Sequence, residues 1–234
     1  KESDFDNLNL NSVVDGTSGG STGQATRTKM DLDHIAQISK QAALCLSVHG
    51  ILHAPRMMWW GILPDATGFM SGLLPSHIGQ SMYRWFSTYR GNESNTGWRY
   101  ILMTYLMIGM ARLHGLKFPL PKSTPINNPL PIARALADTV KTHGSACLVS
   151  TVSKCVRVSV VAQQHNIDLT GVTFLGSSEP STPAKLATIK MSGAKYISLY
   201  VATETGTIGL PCTHPTDHTD VHFLSNNLAM IQRP

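Results

Sequence analysis

Apolar residues in this chain follow two patterns, helical repeats and short continuous runs. The clearest helical repeat covers residues 30–48 and is carried by Leu32, Ile35, Ile38, Ala42 and Cys45. Later in the chain the two patterns alternate, which predicts helices at 131–143, 153–165 and 182–192 and strands at 145–149, 172–175, 195–201 and 221–224. Alternation at this spacing predicts an α/β fold in which helices flank a layered, mostly parallel sheet.

The first half of the chain gives weaker signals. Residues 8–14 carry a short strand-like pattern, and residues 53–80, rich in Met, Trp, Gly and Pro, predict a loop-rich segment. Residues 98–113 predict an apolar helix that we expect to be buried, and five prolines make residues 117–131 a connector. No internal repeat is visible, and the length allows one large domain or two small ones.

Composition narrows the possible function classes. Of the 234 residues 42% are hydrophobic, so a large core can form. Only 14% are charged, and we therefore expect missing parts of the protein to cover some of the surface. The net charge of +5 comes from scattered residues, which does not favour nucleic-acid binding. The apolar run at 100–110 is too short to span a bilayer, and the four cysteines show no paired spacing. Since no signal peptide is visible either, we expect a cytoplasmic protein with reduced thiols and no membrane partner.

The candidate chemistry begins in a glycine-rich stretch near the start of the chain. Four glycines and four hydroxyl residues fill eight positions, Gly16-Thr17-Ser18-Gly19-Gly20-Ser21-Thr22-Gly23, and Arg27 follows closely. Glycine lets backbone N–H groups converge into an anion-binding nest, and hydroxyls and a guanidinium add further donors. The stretch therefore predicts a phosphate-binding loop, although it matches neither the Walker loop nor the dinucleotide fingerprint.

Two other interpretations of this stretch stay open. The pattern G-x-S-x-G occurs twice, so Ser18 or Ser21 is a candidate nucleophile of a serine hydrolase, with His218 or His222 as its base. A flexible glycine–serine linker is the simplest alternative.

Two later stretches bear on this choice. Residues 174–185 contain Gly176-Ser177-Ser178-Glu179-Pro180, and residues 193–206 contain Tyr200-Val201-Ala202-Thr203-Glu204. With the glycine loop, their order and separation resemble the adenylate-forming superfamily of acyl-CoA synthetases, adenylation domains and luciferases, and within it the phenylacetate–CoA ligase branch. The resemblance runs from about Asp15 to the end of the chain.

The resemblance implies an enzyme that uses ATP to convert a carboxylic acid into an acyl-adenylate and then transfers the acyl group to CoA, a carrier-protein thiol or an amine. The stretch 17–23 would wrap the β- and γ-phosphates, with Arg27 in the place of the family's lysine. The turn 176–180 would flank the adenine, and Tyr200 would stack near it. Thr203 would hydrogen-bond the α-phosphate, and Glu204 would hold Mg²⁺.

The chain also departs from the family pattern. Ala25, Ser177, Ser178 and Val201 stand where the family has proline or glycine. The family continues to a ribose-binding aspartate, a hinge and a small lid with a catalytic lysine, and these do not follow here. On the resemblance we therefore expect the central part of a large N-terminal domain without its C-terminal lid. A non-catalytic nucleotide-binding remnant of that fold is the alternative.

Two further groups of residues are candidates for binding. The acid pocket would be lined by Trp59, Trp60, Phe69, Met70 and His77. A second group is rich in the residue types that bind Zn²⁺ and lies within eleven positions, at Cys212, His214, Asp217, His218, Asp220 and His222. A polar loop without a metal is the simpler interpretation of that group, because no C-x-x-C pair anchors it.

Overall fold

A computed structural model describes residues 13–17, 27–65, 67–89, 97–202, 205–225 and 228–231. The first half contains β1 (Val13–Thr17), β2 (Arg27–Asp31), α1 (Leu32–Val48), β3 (Arg56–Trp59), α2 (Thr67–Leu73), a 3-10 helix (Leu74–Ile78), β4 (Met82–Ser87), α3 (Trp98–Leu113) and β5 (Pro121–Ser123). The second half contains α4 (Leu130–His143), β6 (Ala146–Thr151), α5 (Val152–Gln164), β7 (Val172–Ser177), α6 (Pro183–Met191), β8 (Lys195–Ser198), β9 (Tyr200–Ala202), β10 (Gly206–Pro211) and β11 (Val221–Phe223).

The centre of the fold is a six-stranded sheet in the order β5-β4-β3-β6-β7-β8. All five neighbouring pairs are parallel. From β3 the chain moves outward to β4 and β5, and then returns to β6 on the other side of β3 before moving outward to β7 and β8. This is the order of a doubly wound sheet, in which the direction of winding reverses between β3 and β6.

Helices cover both faces of this sheet. On one face α4, α5 and α6 pack through Ile132, Leu136, Val158 and Ile189 against buried strand residues such as Phe174. On the other face, α1 packs over β6 and β7, while α2 and α3 pack over β3 and β4. The predicted layered α/β fold with a mostly parallel sheet is confirmed.

Two small antiparallel sheets complete the described part of the chain. Strands β1 and β2 form a hairpin that leads into α1, and strands β9, β10 and β11 form a three-stranded sheet in the order β11-β10-β9. Among the helices of the described ranges, none has the length and apolar composition that crossing a bilayer requires. All four cysteines are free, as their spacing suggested.

Two expectations about local structure were wrong, and two further strands had not been expected. The segment 53–80 is not mainly loop, because Arg56–Trp59 forms the central strand β3 and 67–78 is helical. Strand β4 had not been expected at all, and the proline-rich connector contains the short strand β5. The strand expected at 195–201 is two strands in different sheets, because the chain leaves the main sheet at Leu199.

Helix α3 has the expected bounds but not the expected burial. Within it only Thr104, Ile108 and Ala111 are buried. Large apolar side chains on its other sides, including Trp98, Leu106 and Leu113, are more than half exposed. A helix that is apolar on all sides is buried only if other elements cover all of those sides. In the described part of the chain, other elements cover only one side of α3, so its remaining apolar side chains are exposed.

Candidate functional site

The candidate site lies at the carboxyl ends of the parallel strands, where β3 and β6 are neighbours. In open α/β sheets, ligands bind in the crevice outside these ends at the point where the winding reverses. Here that point is bordered by Trp59 and Trp60 at the end of β3 and by Ser150 and Thr151 at the end of β6. The Ser150 hydroxyl donates a hydrogen bond to the carbonyl of Trp59 over 3.1 Å, which ties the two strand ends together.

Lys154 occupies this point, and the sequence had not singled it out. Its Nζ donates to the carbonyl of Trp59 over 3.1 Å and lies 5.0 Å from the centre of the Trp60 ring. Burial lowers the pKa of Lys154, while the charges of Asp65 and Glu179 act in the opposite direction. Lys154 stands in the first turn of α5, where the helix dipole disfavours a cation. A lysine in the first turn of a predicted helix is the sequence signal that could have singled out Lys154.

The turn after β7 carries the second motif, and its backbone is constrained. Ser178 adopts a left-handed conformation with φ of 67°, which costs a residue with a Cβ more than it costs glycine. A Cβ at Gly176 would collide with the ring of Tyr196, so this position requires glycine. Serine therefore occupies a backbone conformation at position 178 that favours glycine, two residues after a position that requires glycine.

The half-buried Glu179 is held against the start of α5. Its Oε2 accepts hydrogen bonds from the backbone N–H of Ser153, over 3.0 Å, and from the Ser153 hydroxyl. Lys185 Nζ lies 3.6 Å from the same oxygen. Desolvation acts to raise the pKa of Glu179, but the hydrogen bonds from Ser153 and Thr151 and the charge of Lys185 outweigh it and lower the pKa. The carboxylate therefore fixes the turn to α5 and complements the positive end of that helix.

The third motif begins directly beside this turn. The backbone N–H of Leu199 donates to the carbonyl of Gly176 over 2.8 Å, so the chain passes from β8 into β9 next to the turn. Tyr200, the first residue of β9, has 56% of its surface exposed. Thr203 and Glu204 lie outside the described residues.

The glycine-rich stretch is closed at its base by the β1–β2 hairpin. Thr17 and Arg27 are direct partners in the antiparallel ladder, so the backbone brings together the two ends of the predicted phosphate loop. Residues 18–23 of that loop lie outside the described residues.

The predicted acid-pocket residues are divided between two core clusters and the helical segment 67–78. Trp59 is fully buried in the core, where its Nε1 donates to the carbonyl of Thr124. Phe69 stacks on Phe118 in the second core cluster, at 5.1 Å between ring centres. Met70 is half-buried in α2, Trp60 is buried at the end of β3, and His77 is exposed in the 3-10 helix.

The histidine- and cysteine-rich segment does not form a metal centre in the structure. Within the described residues, no three His, Cys, Asp or Glu side chains come together in a group that could hold a metal ion. The segment is instead a hydrogen-bonded loop, in which Asp220 accepts from the backbone N–H groups of Thr216 and Asp217, and His218 Nε2 lies 2.8 Å from the carbonyl oxygen of Ser181. The zinc hypothesis is therefore corrected, because these side chains serve the loop itself. Cys212, His214 and His222 do not join them in a metal group.

The chain is similar to several solved structures of other proteins. No family model and no curated protein matches the chain. The chain is similar to the luciferase-like enzyme from the nonluminescent Zophobas morio mealworm, with 12% identity, a TM-score of 0.44, and coverage of 88% of this chain and 38% of that one. It is also similar to an open conformation of 2-hydroxyisobutyryl-CoA ligase in complex with 2-HIB-AMP and CoA, with 14% identity, a TM-score of 0.47, and coverage of 83% and 36%.

A third similar structure is the anthranilate CoA ligase AuaEII in complex with anthranoyl-AMP, with 13% identity, a TM-score of 0.49, and coverage of 82% and 30%. The chain thus spans 30% to 38% of the length of these three proteins.

Proposed function

We propose that this chain contributes the nucleotide- and acid-binding part of an ATP-dependent ligase that activates a carboxylic acid as its acyl-adenylate. The acyl group is then transferred to a thiol, of CoA or a carrier protein, or to an amine. One observation supports this most directly. The stretches that contain the second and third motifs meet through the hydrogen bond from Leu199 N–H to the carbonyl of Gly176, 23 residues earlier, at the carboxyl edge of the sheet.

The donor set at this edge fits an adenosine nucleotide. Tyr200 offers an exposed aromatic ring beside the turn, and the hydroxyls of Ser177 and Ser178 lie 3.3 Å apart at the strand end. An exposed aromatic ring and nearby hydroxyls are groups that bind a base and a ribose. Bound Mg-ATP would supply an electrophilic α-phosphorus for the attacking carboxylate.

The chain's own residues have distinct roles in this proposal. The loop that begins at Thr17 and ends at Arg27 binds the phosphates, and Thr203 orients the α-phosphate. Glu204 is the proposed Mg²⁺ ligand. Glu179 is a positioning residue, because its carboxylate is already engaged by Ser153 and Lys185.

Calorimetric titration tests the proposal on this chain as it stands. We expect it to bind Mg-ATP and at least one acyl sulfamoyl-adenosine, a stable mimic of an acyl-adenylate. Replacing Tyr200 by alanine removes the proposed stacking surface and should weaken binding of the mimic by about tenfold. Tyr105→Ala, at another tyrosine with 45% exposure on α3, is the matched control and should bind like the unaltered chain.

The alternatives give different results. Absence of binding to ATP and to every mimic, or an unchanged affinity of Tyr200→Ala, would contradict the proposal. ATP binding without pyrophosphate release in the presence of any acid would indicate the non-catalytic remnant. Covalent labelling of Ser18 or Ser21 by a fluorophosphonate would indicate the serine hydrolase.

A further inference from the structure

A small apolar cavity lies between α1 and the face of the sheet that α1 covers. Its volume is about 90 Å³. It is lined by apolar side chains of α1, the 3-10 helix, the sheet and β10, namely Ala42, Cys45, Leu46, Leu74, Val149, Leu175, Leu199 and Leu210. Two polar residues, Arg56 and Ser71, complete the lining.

Arg56 is a buried cation without a counter-charge among the described residues. Only 7% of its surface is exposed, and Nη2 donates one hydrogen bond, over 3.2 Å, to the amide oxygen of Gln80. Its Nε has no hydrogen-bond partner in the part of the chain that the structure describes. The Gln80 amide is itself fixed, because its nitrogen donates to the carbonyl of Leu52 over 2.7 Å.

A guanidinium in this position is costly unless an anion joins it. Burial lowers the pKa of Arg56, and the neighbouring Cys147 acts weakly in the opposite direction. Burial also raises the pKa of Cys147 to about 12, so that thiol is not the missing anion near neutral pH. Arginine stays protonated in proteins, and buried charges are normally paired. An apolar cavity with an unpaired guanidinium in its wall is therefore complementary to an apolar molecule that carries a carboxylate.

The end of the cavity away from Arg56 is next to the candidate nucleotide site at the Gly176 turn. Arg56 is level with Cys147, and Cys147 with Thr173, in the parallel ladders. Gly176 is three residues further along β7 than Thr173, about 10 Å at the usual rise of a strand. Leu175 and Leu199, which line the cavity, are the residues next to the Gly176 turn and to Tyr200.

We propose that this cavity receives the side chain of the acid, and that Arg56 selects acids with a second carboxylate at the far end. This inference rests on the proposed function. The first carboxylate points to the nucleotide at the carboxyl edge of the sheet, and the second forms a charged hydrogen-bonded pair with the guanidinium. The cavity is smaller than the roughly 150 Å³ that holds a benzene ring in an engineered apolar cavity, so the substrate class is a short aliphatic dicarboxylic acid.

Matched acyl sulfamoyl-adenosines test this inference. The succinyl and glutaryl compounds carry the second carboxylate, and the butyryl and valeryl compounds have a methyl group in its place. By calorimetry we expect the carboxylate-ended compounds to bind this chain about tenfold more tightly or better. Arg56→Met should abolish the preference. Arg157→Met, at an exposed arginine of α5, should keep it.

A second variant covers the case in which Arg56→Met does not fold. Gln80→Glu has nearly the same shape and places a carboxylate against Nη2, so it should also abolish the preference while Arg56 stays in place. Equal affinities for both kinds of compound, or a preference that survives in either variant, would overturn this inference and leave the proposed function standing. Failure of all four compounds and of ATP to bind would overturn both.

Discussion

A buried or half-buried cation lies at each end of strand β3, Arg56 of the strand itself at its start and Lys154 of α5 at its carboxyl end, and the two charges have different surroundings. At its carboxyl end, Lys154 donates to the Trp59 carbonyl, faces two indole rings and is within the field of Asp65 and Glu179. At its start, Arg56 has one amide oxygen as a partner and an apolar cavity beside it. The acceptor, the ring faces and the nearby carboxylates offset part of the cost of burying the Lys154 charge. Arg56 has no such carboxylate among the described residues, which leaves its charge available for the proposed ligand.

This difference separates a structural charge from a recognition charge. A buried cation that already has acceptors and nearby carboxylates contributes to stability and gains little from an added anion. A buried cation without them lowers stability in the free protein and gains most when an anion arrives. Removing the charge of Lys154 and removing that of Arg56 should therefore change the stability of the free protein in different directions.

The largest expected effect on the free energy of unfolding comes from replacing each of the two cations by methionine. Lys154→Met should lower the free energy of unfolding by about 2–3 kcal/mol, because a charged hydrogen bond and the contact with the indole rings are lost. Arg56→Met should leave it within about 1 kcal/mol of the original value or raise it, because an unpaired buried charge is replaced by an apolar side chain. Urea unfolding of the two variants measures the difference.

An exposed lysine supplies the control for this pair. Lys141 has 78% of its side chain exposed, and Lys141→Met should change the free energy of unfolding little. Equal losses in Lys154→Met and Arg56→Met would mean that both charges are structural, and the distinction between the two ends of β3 would fail.

A smaller effect is expected from the carboxylate that connects the turn to α5. Glu179→Gln should lower the free energy of unfolding by about 1–2 kcal/mol at neutral pH, because charge-assisted hydrogen bonds to Ser153 become neutral. The folded protein lowers the pKa of Glu179, so its contribution is complete above the unfolded pKa of about 4.3 and is lost as the pH falls through the lower folded value. The gap between the two proteins should therefore close below about pH 4.

Unfolding in urea over a series of pH values checks this dependence. Asp138→Asn serves as the control, because Asp138 is 72% exposed and its pair with Lys141 lies at the surface. A gap that stays constant down to acid pH would show that the Glu179 charge does not contribute to stability.

The long helices and the strands in the second half of the chain were predictable because their sequence signals are local. The repeat over Leu32–Val48 defines one face of α1, and Thr182 caps α6 by accepting a hydrogen bond from the Lys185 N–H. Strand β3 was missed because its four residues are all buried on both faces. A central parallel strand of this kind shows no alternation, and its Met-Met-Trp-Trp run between prolines and glycine resembles a loop in composition.

The site was predictable only where it consists of short motifs. The turn Gly176–Pro180 could be located from the sequence, since glycine and proline indicate turns directly. Lys154 and Arg56 could not be assigned their surroundings, because Lys154 meets a carbonyl 95 residues away in sequence and Arg56 meets an amide 24 residues away. Only the order of the strands brings these partners together.

The smallest expected effect concerns the backbone of the turn that positions Glu179. Ser178→Gly should raise the free energy of unfolding by about 0.5–1 kcal/mol, because glycine adopts the φ of 67° without steric cost. Asn166→Gly, at the other described non-glycine residue with positive φ, should gain less, since asparagine tolerates that conformation. Thermal and urea unfolding measure both. A loss of stability in Ser178→Gly would instead assign the stabilising role to the contact between the Ser177 and Ser178 hydroxyls, and the turn would then depend on its serines rather than merely accommodate them.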